Sequence, residues 1–203
     1  MIKKILSLGS EGKLYLRSPD GKVEDIPRSR ATSSVYLLID CSSSMSGSKL
    51  DQAKKGARDF ADDALVKGYS VGLIQFGSYE KLICELQTNI STIAERLREL
   101  EATGSTNLTD GLQLAREKLT AESGMRAIVV VTDGMPDNRE GALYAAQEAK
   151  NCGIDIIAIG TDDADSKFLN DLASQTQFGL KVPSDKLEQG VALAATMLPG
   201  PDQ

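Results

Sequence analysis

The chain has 203 residues, 41% of them hydrophobic, with 23 Lys and Arg against 29 Asp and Glu for a formal charge of −6. That is enough for one α/β domain with a complete core and too little for two ordinary domains and a linker, and the apolar fraction excludes broad disorder. An acidic balance with no Lys/Arg run longer than two residues argues against nucleic-acid binding, and the lack of any His excludes imidazole catalysis and His-containing zinc sites.

Charge is unevenly spread. Residues 1–34 carry a net +3, which leaves −9 for the rest. Within them, Lys13-Leu14-Tyr15-Leu16-Arg17 and Val23-Glu24-Asp25-Ile26 flank Ser18-Pro19-Asp20-Gly21, whose Pro and Gly suit a tight turn, so a small β-hairpin is expected here. Residues 28–34 then read as a polar connector. From Val35 the pattern becomes regular. Residues 35–40 are a continuous apolar run ending in Asp40, the mark of a central parallel strand covered on both faces.

The spacing of Leu50, Ala53, Ala57, Phe60, Ala61, Ala64 and Leu65 predicts a helix over 49–66, ended near Gly68. Strands at 70–77 and 80–86 are too closely joined for a helical crossover, so one edge of the sheet is antiparallel. Helices around 90–100 and 108–119 lead to a strand at 127–133. A helix through Leu143, Ala146 and Ala149 feeds a strand at 153–160. A helix at 166–173, a strand at 177–182 and a closing helix at 184–198 complete the pattern. The fold expected is a doubly wound, mostly parallel six-stranded sheet with one antiparallel edge and helices on both faces. The domain spans 35–198, after an N-terminal extension at 1–34 and before a tail at 199–203.

In such sheets ligands bind beyond the carboxyl ends of the strands. Three oxygen-rich segments fall at that edge: Asp40-Cys41-Ser42-Ser43-Ser44-Met45-Ser46-Gly47, Gly104-Ser105-Thr106-Asn107-Leu108-Thr109-Asp110, and Thr132-Asp133-Gly134. If the first stays near-extended, Asp40, Ser42 and Ser44 alternate and present their oxygens to one side. Thr106 adds a hydroxyl and Asp133 a second carboxylate. Hard oxygens with few carboxylates suit Mg²⁺, with Mn²⁺ as a substitute and Ca²⁺, which recruits more charge, less favoured. Each segment taken alone also reads as a helix cap or turn: Ser46 or Ser48 for the helix at 49–66, Thr106 for the next, and Asp133 within its own turn.

These segments resemble the metal-ion-dependent adhesion site (MIDAS) of von Willebrand factor type A domains, written Asp-x-Ser-x-Ser, then Thr, then Asp in a Thr-Asp-Gly setting. The resemblance spans residues 35–198 and no motif element is missing. It implies that Ser42 and Ser44 bind Mg²⁺ directly, that Asp40 and Asp133 act directly or through water, and that Thr106 joins according to the state of the domain. It further implies a partner that presents an acidic side chain, and a closing helix able to shift with the metal site.

The function expected is therefore Mg²⁺-dependent binding of a protein partner through its Asp or Glu. The rivals are a metal-assisted hydrolase or phosphatase at the same strand ends, and an assembly protein whose metal is structural. No catalytic residue is assigned, because the rim offers no evident nucleophile, base or cofactor loop. A phosphoaspartate reading of Asp40 lacks its second acid, Gly47-Ser48-Lys49 is no phosphate loop, and Lys49 reads as a solvated helix-start residue. Met45, Met135, Pro136 and Asp137 are candidates for a partner-facing rim, while Asp162, Asp163 and Asp165 read as solvated surface. No run approaches the roughly 20 apolar residues of a bilayer span, and Ile5-Leu6-Ser7-Leu8-Gly9 is too short for a signal-peptide core. With Cys41, Cys84 and Cys152 all read as buried thiols, a cytoplasmic location is expected.

Overall fold

The computed structural model describes residues 5–8, 14–17, 23–25 and 33–200. The chain divides into two compact units, Met1–Ala31 and Thr32–Gln203. In the first, β1 (Ile5–Leu8), β2 (Leu14–Arg17) and β3 (Val23–Asp25) form an antiparallel sheet in chain order, with Leu8 opposite Leu14 and Arg17 opposite Val23. The hairpin expected from the sequence is β2 and β3. The added strand fits the marginal stability of an isolated two-stranded hairpin. The turn at 18–21 and most of the connector at 28–34 lie outside the described residues.

The second unit holds a six-stranded sheet. In chain order its strands are β4 (Ser33–Asp40), β5 (Tyr69–Phe76), β6 (Lys81–Gln87), β7 (Arg126–Thr132), β8 (Asp155–Gly160) and β9 (Gly179–Lys181). In space they run β6-β5-β4-β7-β8-β9, all parallel except the β5–β6 pair. Val35 to Ile39 on β4 and Ile128 to Val131 on β7 are buried throughout, as their unbroken apolar runs require of strands sandwiched between two helical layers.

The helices are α1 (Ser48–Val66), α2 (Ile90–Leu97), α3 (Leu108–Thr120), α4 (Arg139–Asn151), α5 (Ser166–Leu172) and α6 (Leu187–Met197). Helix α1 packs against both α2 and α6, whereas α4 packs against α3 and α5, so the sheet carries three helices on each face. The stripe Leu50, Ala53, Ala57, Phe60, Ala61 and Ala64 is the buried face of α1. Its small residues allow close packing. A Cβ on Gly56 would lie 2.5 Å from the Glu188 carbonyl oxygen and 2.8 Å from Val191 Cβ, so α6 sits against bare backbone there. Among the described residues no helix is long and apolar enough to cross a membrane.

Several expected elements are shorter than their sequence patterns, among them α2, which ends at Leu97, and β8, which begins at Asp155. The edge strand is reduced to Gly179–Lys181 behind a 3₁₀ turn at Thr176–Phe178, and α6 begins only after another at Ser184–Lys186. Strand β4 has β5 on one side and β7 on the other, so the crossovers diverge between the carboxyl ends of β4 and β7. Asp40 ends one of those strands and Asp133 follows the other. The switch point of the sheet thus places two carboxylates side by side.

Candidate metal centre

Asp40 is fully buried at the end of β4, and both of its oxygens are engaged. Oδ1 accepts from the Ser42 amide at 2.8 Å and Oδ2 from the Thr132 hydroxyl at 2.6 Å. Burial raises its pKa above the ordinary carboxylate value, opposed by these hydrogen bonds and reinforced by the charge of Asp133. The chain then folds into a 3₁₀ turn at Ser43–Met45 rather than continuing extended, with the Met45 amide donating to the Ser42 carbonyl at 3.0 Å. This turn brings the Ser42 and Ser44 hydroxyls within 3.0 Å of each other. Gly47, at φ 75°, makes the left-handed step into α1 that a residue with a Cβ rarely adopts.

Asp133 stands across from that loop and is 1% exposed in its side chain. Its Oδ1 accepts from the Ser44 hydroxyl at 2.8 Å, and its Oδ2 accepts from the Lys49 ammonium at 2.6 Å. Thr132 accepts from the Gly134 amide at 3.3 Å, so the turn bond is made by Thr132 and the Asp133 carboxylate is left to face the serine loop.

Thr106 arrives on a loop tied to both of the others. The Thr103 amide donates to the Cys41 carbonyl at 2.6 Å, and the Ser43 amide donates to the Gly104 carbonyl at 3.1 Å. On the other side, the Thr106 amide donates to Asp137 Oδ2 at 3.1 Å and its carbonyl accepts from the Asp137 amide at 3.0 Å. Among the described residues the Thr106 hydroxyl makes no hydrogen bond. Thr106 does not cap α3. Asn107 does, its side chain accepting from the Asp110 amide. Nor do Ser46 and Ser48 cap α1, whose N-cap is Gly47 with no side-chain bond.

The structure therefore links Asp40, Ser42, Ser44 and Asp133 in one hydrogen-bonded cluster and ties the Thr106 loop to it through the backbone. Among the described residues no group of three or more His, Cys, Asp or Glu side chains gathers for a metal. Any cation here must then be held by two carboxylates and by hydroxyls. That donor set is hard, oxygen-only and mostly neutral, which fits Mg²⁺ or Mn²⁺ better than a soft ion.

Two participants went unrecognised in the sequence. Thr132 orients Asp40 from 92 positions away. Lys49, read from its position as solvated, instead bridges Asp133 and Asp163, at 2.6 and 3.0 Å. A signal was present, because a cation in the first turn of a helix opposes the helix dipole and calls for a carboxylate. The hydrogen bond to Asp133 is the main reason its pKa is raised. The acidic run beside the site is likewise engaged: Asp162 accepts from the Ser184 amide, and Asp165 caps α5 and pairs with Arg139. Met45 is buried beneath its own loop and offers no rim, whereas Met135 is 40% exposed beside buried Pro136. Cys41 and Cys84 are buried as expected; Cys152 is exposed, because it follows α4 at its C-terminal end.

The sequence model of the von Willebrand factor type A domain matches residues 34–189. The chain belongs to this family. A UPF0353 protein of Mycobacterium sp. (strain KMS) is 30% identical over 158 residues, covering 67% of this chain and 46% of that protein. The chain thus spans about half the length of the curated relatives it matches. The vWF domain of the type V pili tip protein Mfa5 from Porphyromonas gingivalis superposes with a TM-score of 0.73 at 15% identity, covering 81% of this chain and 94% of that one. Proximal thread matrix protein 1 from the mussel byssus, solved with a zinc-occupied MIDAS motif, gives 0.65 at 19% identity over 80% of this chain and 46% of its own. At these identities the solved structures establish the fold. Domains of this family are protein-interaction and adhesion modules.

Proposed function

We propose that this domain binds a protein partner through a divalent cation held by Asp40, Ser42, Ser44, Thr106 and Asp133. The observation that carries the reading is the contact of the Ser44 hydroxyl with Asp133 Oδ1 at 2.8 Å and with the Ser42 hydroxyl at 3.0 Å. Hydroxyls from the β4 loop and a carboxylate from the end of β7 meet at the one place in the sheet where crossovers diverge. A bound ion would supply a Lewis-acidic position for an Asp or Glu oxygen of the partner.

The residues of this chain act as the frame. Thr132 and the Ser42 amide hold Asp40, the 3₁₀ turn aims the two serines, and exposed Met135 offers apolar contact at the rim. Two grooves, of about 540 Å³ between α1 and α2 and about 610 Å³ at the end of α6, lie away from the cluster. On this reading the site is a surface for a partner. We place the domain in an intracellular adaptor or complex subunit, a reading supported by three free cysteines.

Titration of the folded chain with Mg²⁺, Mn²⁺, Ca²⁺ and Zn²⁺ tests the cation. Zinc is included because the mussel protein holds it at a MIDAS. Uptake of one Mg²⁺ or Mn²⁺, lost in Asp40→Ala and Ser42→Ala variants that remain folded, is expected. Absence of uptake by the wild-type chain would refute the reading, and so would a partner that binds equally well in EDTA.

A further inference from the structure

The cluster already contains a cation of its own. Lys49 Nζ lies 2.6 Å from Asp133 Oδ2 and 3.0 Å from Asp163 Oδ2, so it is anchored from two loops and kept from swinging into solvent. Its side chain is 22% exposed and that of Asp133 1%, whereas Asp163, at 68%, is screened by water. Within the protected part of the site the charges are therefore Asp40 and Asp133, each negative, and Lys49, positive.

A divalent ion added to that set leaves an excess of one positive charge. We propose that Lys49 holds the cation site one negative charge short, so that firm retention of the metal depends on the carboxylate a partner brings. Metal and partner then bind cooperatively, each completing the charge balance the other needs, and the coupling is the same seen from either ligand. The ammonium takes one acceptor position on one oxygen of Asp133 and the Ser44 hydroxyl one on the other, so a cation or its waters share that carboxylate with Lys49. This inference rests on the cation reading above.

The test is Mn²⁺ affinity measured by isothermal titration and by electron paramagnetic resonance on the full chain, without any partner. Even at a dielectric close to that of water, repulsion between an ammonium and a divalent ion a few Å apart weakens binding by about ten- to a hundredfold. Lys49→Met, and Lys49→Gln as a second neutral variant, should bind Mn²⁺ at least about tenfold more tightly than wild type. Lys49→Arg, which keeps the charge, should stay near the wild-type value. Neutral variants that bind no more tightly than wild type would overturn the role of Lys49 while leaving the cation site standing. If wild type and neutral variants alike take up no Mn²⁺, or Asp40→Ala takes it up as wild type does, the cation site itself falls and this proposal with it. Circular dichroism confirms that each variant is folded before it is scored.

Discussion

Asp40→Asn removes a charge from the centre of the site while preserving its shape. In the native arrangement the buried carboxylate accepts from the Ser42 amide at 2.8 Å and from the Thr132 hydroxyl at 2.6 Å. An asparagine keeps the first bond through its oxygen and reverses the second, its amide donating to Thr132 Oγ. The Thr132 hydrogen then turns toward the Gly134 carbonyl, 3.4 Å away. The second hydrogen of the new amide turns to the Ser42 hydroxyl, the other side-chain partner of Asp40. Burying an ion costs several kcal/mol even after relaxation, and hydrogen bonds to a charged acceptor return about 1.5–3 kcal/mol each against about 0.5–1.5 for neutral ones. The balance leaves Asn ahead by about 1–3 kcal/mol in the cation-free protein. The neighbouring Asp133 charge, which also raises the pKa of Asp40, acts in the same direction.

Urea unfolding at neutral pH in EDTA reads this directly, as a higher midpoint for Asp40→Asn. Loading wild type with Mn²⁺ at a hundredfold excess over its Kd should add about 2.7 kcal/mol that the variant does not gain, so the gap narrows or inverts. The pH dependence has a definite sign. A carboxylate whose native pKa is raised binds its proton more tightly folded than unfolded, so stability falls as pH climbs from the unfolded value of about 3.9 through the raised native one. Asp40→Asn should remove that slope in EDTA. If the variant is instead less stable than wild type in EDTA by more than about 1 kcal/mol, the hydrogen bonds outweigh the desolvation cost and the reasoning is wrong.

Three further outcomes are expected. A thiol-exchange assay on the native protein should find one fast cysteine, Cys152, and three after denaturation, since Cys41 and Cys84 are buried and burial, with the Asp40 charge, pushes the Cys41 thiol up to about 12. Glu85, held below the usual carboxylate range by Lys118 at 2.6 Å and by the Tyr36 hydroxyl at 3.0 Å, contributes stability above its unfolded pKa that is lost as pH falls through the native one. Because it is largely exposed, Glu85→Gln should flatten acid unfolding by less than about 1 kcal/mol. Gly56→Ala should cost about 1–3 kcal/mol in chemical unfolding, because its Cβ would lie 2.5 Å from the Glu188 carbonyl oxygen and force α6 off α1.

The sheet was readable from the sequence because its strands are buried on both faces. An unbroken apolar run such as that from Val35 to Ile39 has no other stable place in a chain of this size, and the short link between residues 77 and 80 forbids a parallel partner. The loops were readable as to place, since the end of a strand at a switch point is fixed once strand order is known. Their shape was not. The serine oxygens converge through a 3₁₀ turn at Ser43–Met45 and not through alternation along an extended chain, and the same turn carries Met45 inward. Local spacing supports either conformation, and the choice depends on the Gly104 carbonyl that receives the Ser43 amide from another loop.

The partners of the charged groups were the least legible, for a related reason. Lys49 and Asp133 are 84 positions apart, and nothing in the pattern around either residue names the other. What the pattern does record is a conflict: a lysine at the dipole-disfavoured end of α1, and two carboxylates at neighbouring strand ends whose mutual repulsion opposes burial. Each is unfavourable alone. Together they relieve one another only in part, because one ammonium answers one of the two buried carboxylates and Asp40 keeps the charge that burial penalises. A fold selected for stability alone would replace Asp40 with a neutral residue. A carboxylate at that position is intelligible if a positive charge from outside the chain completes the site.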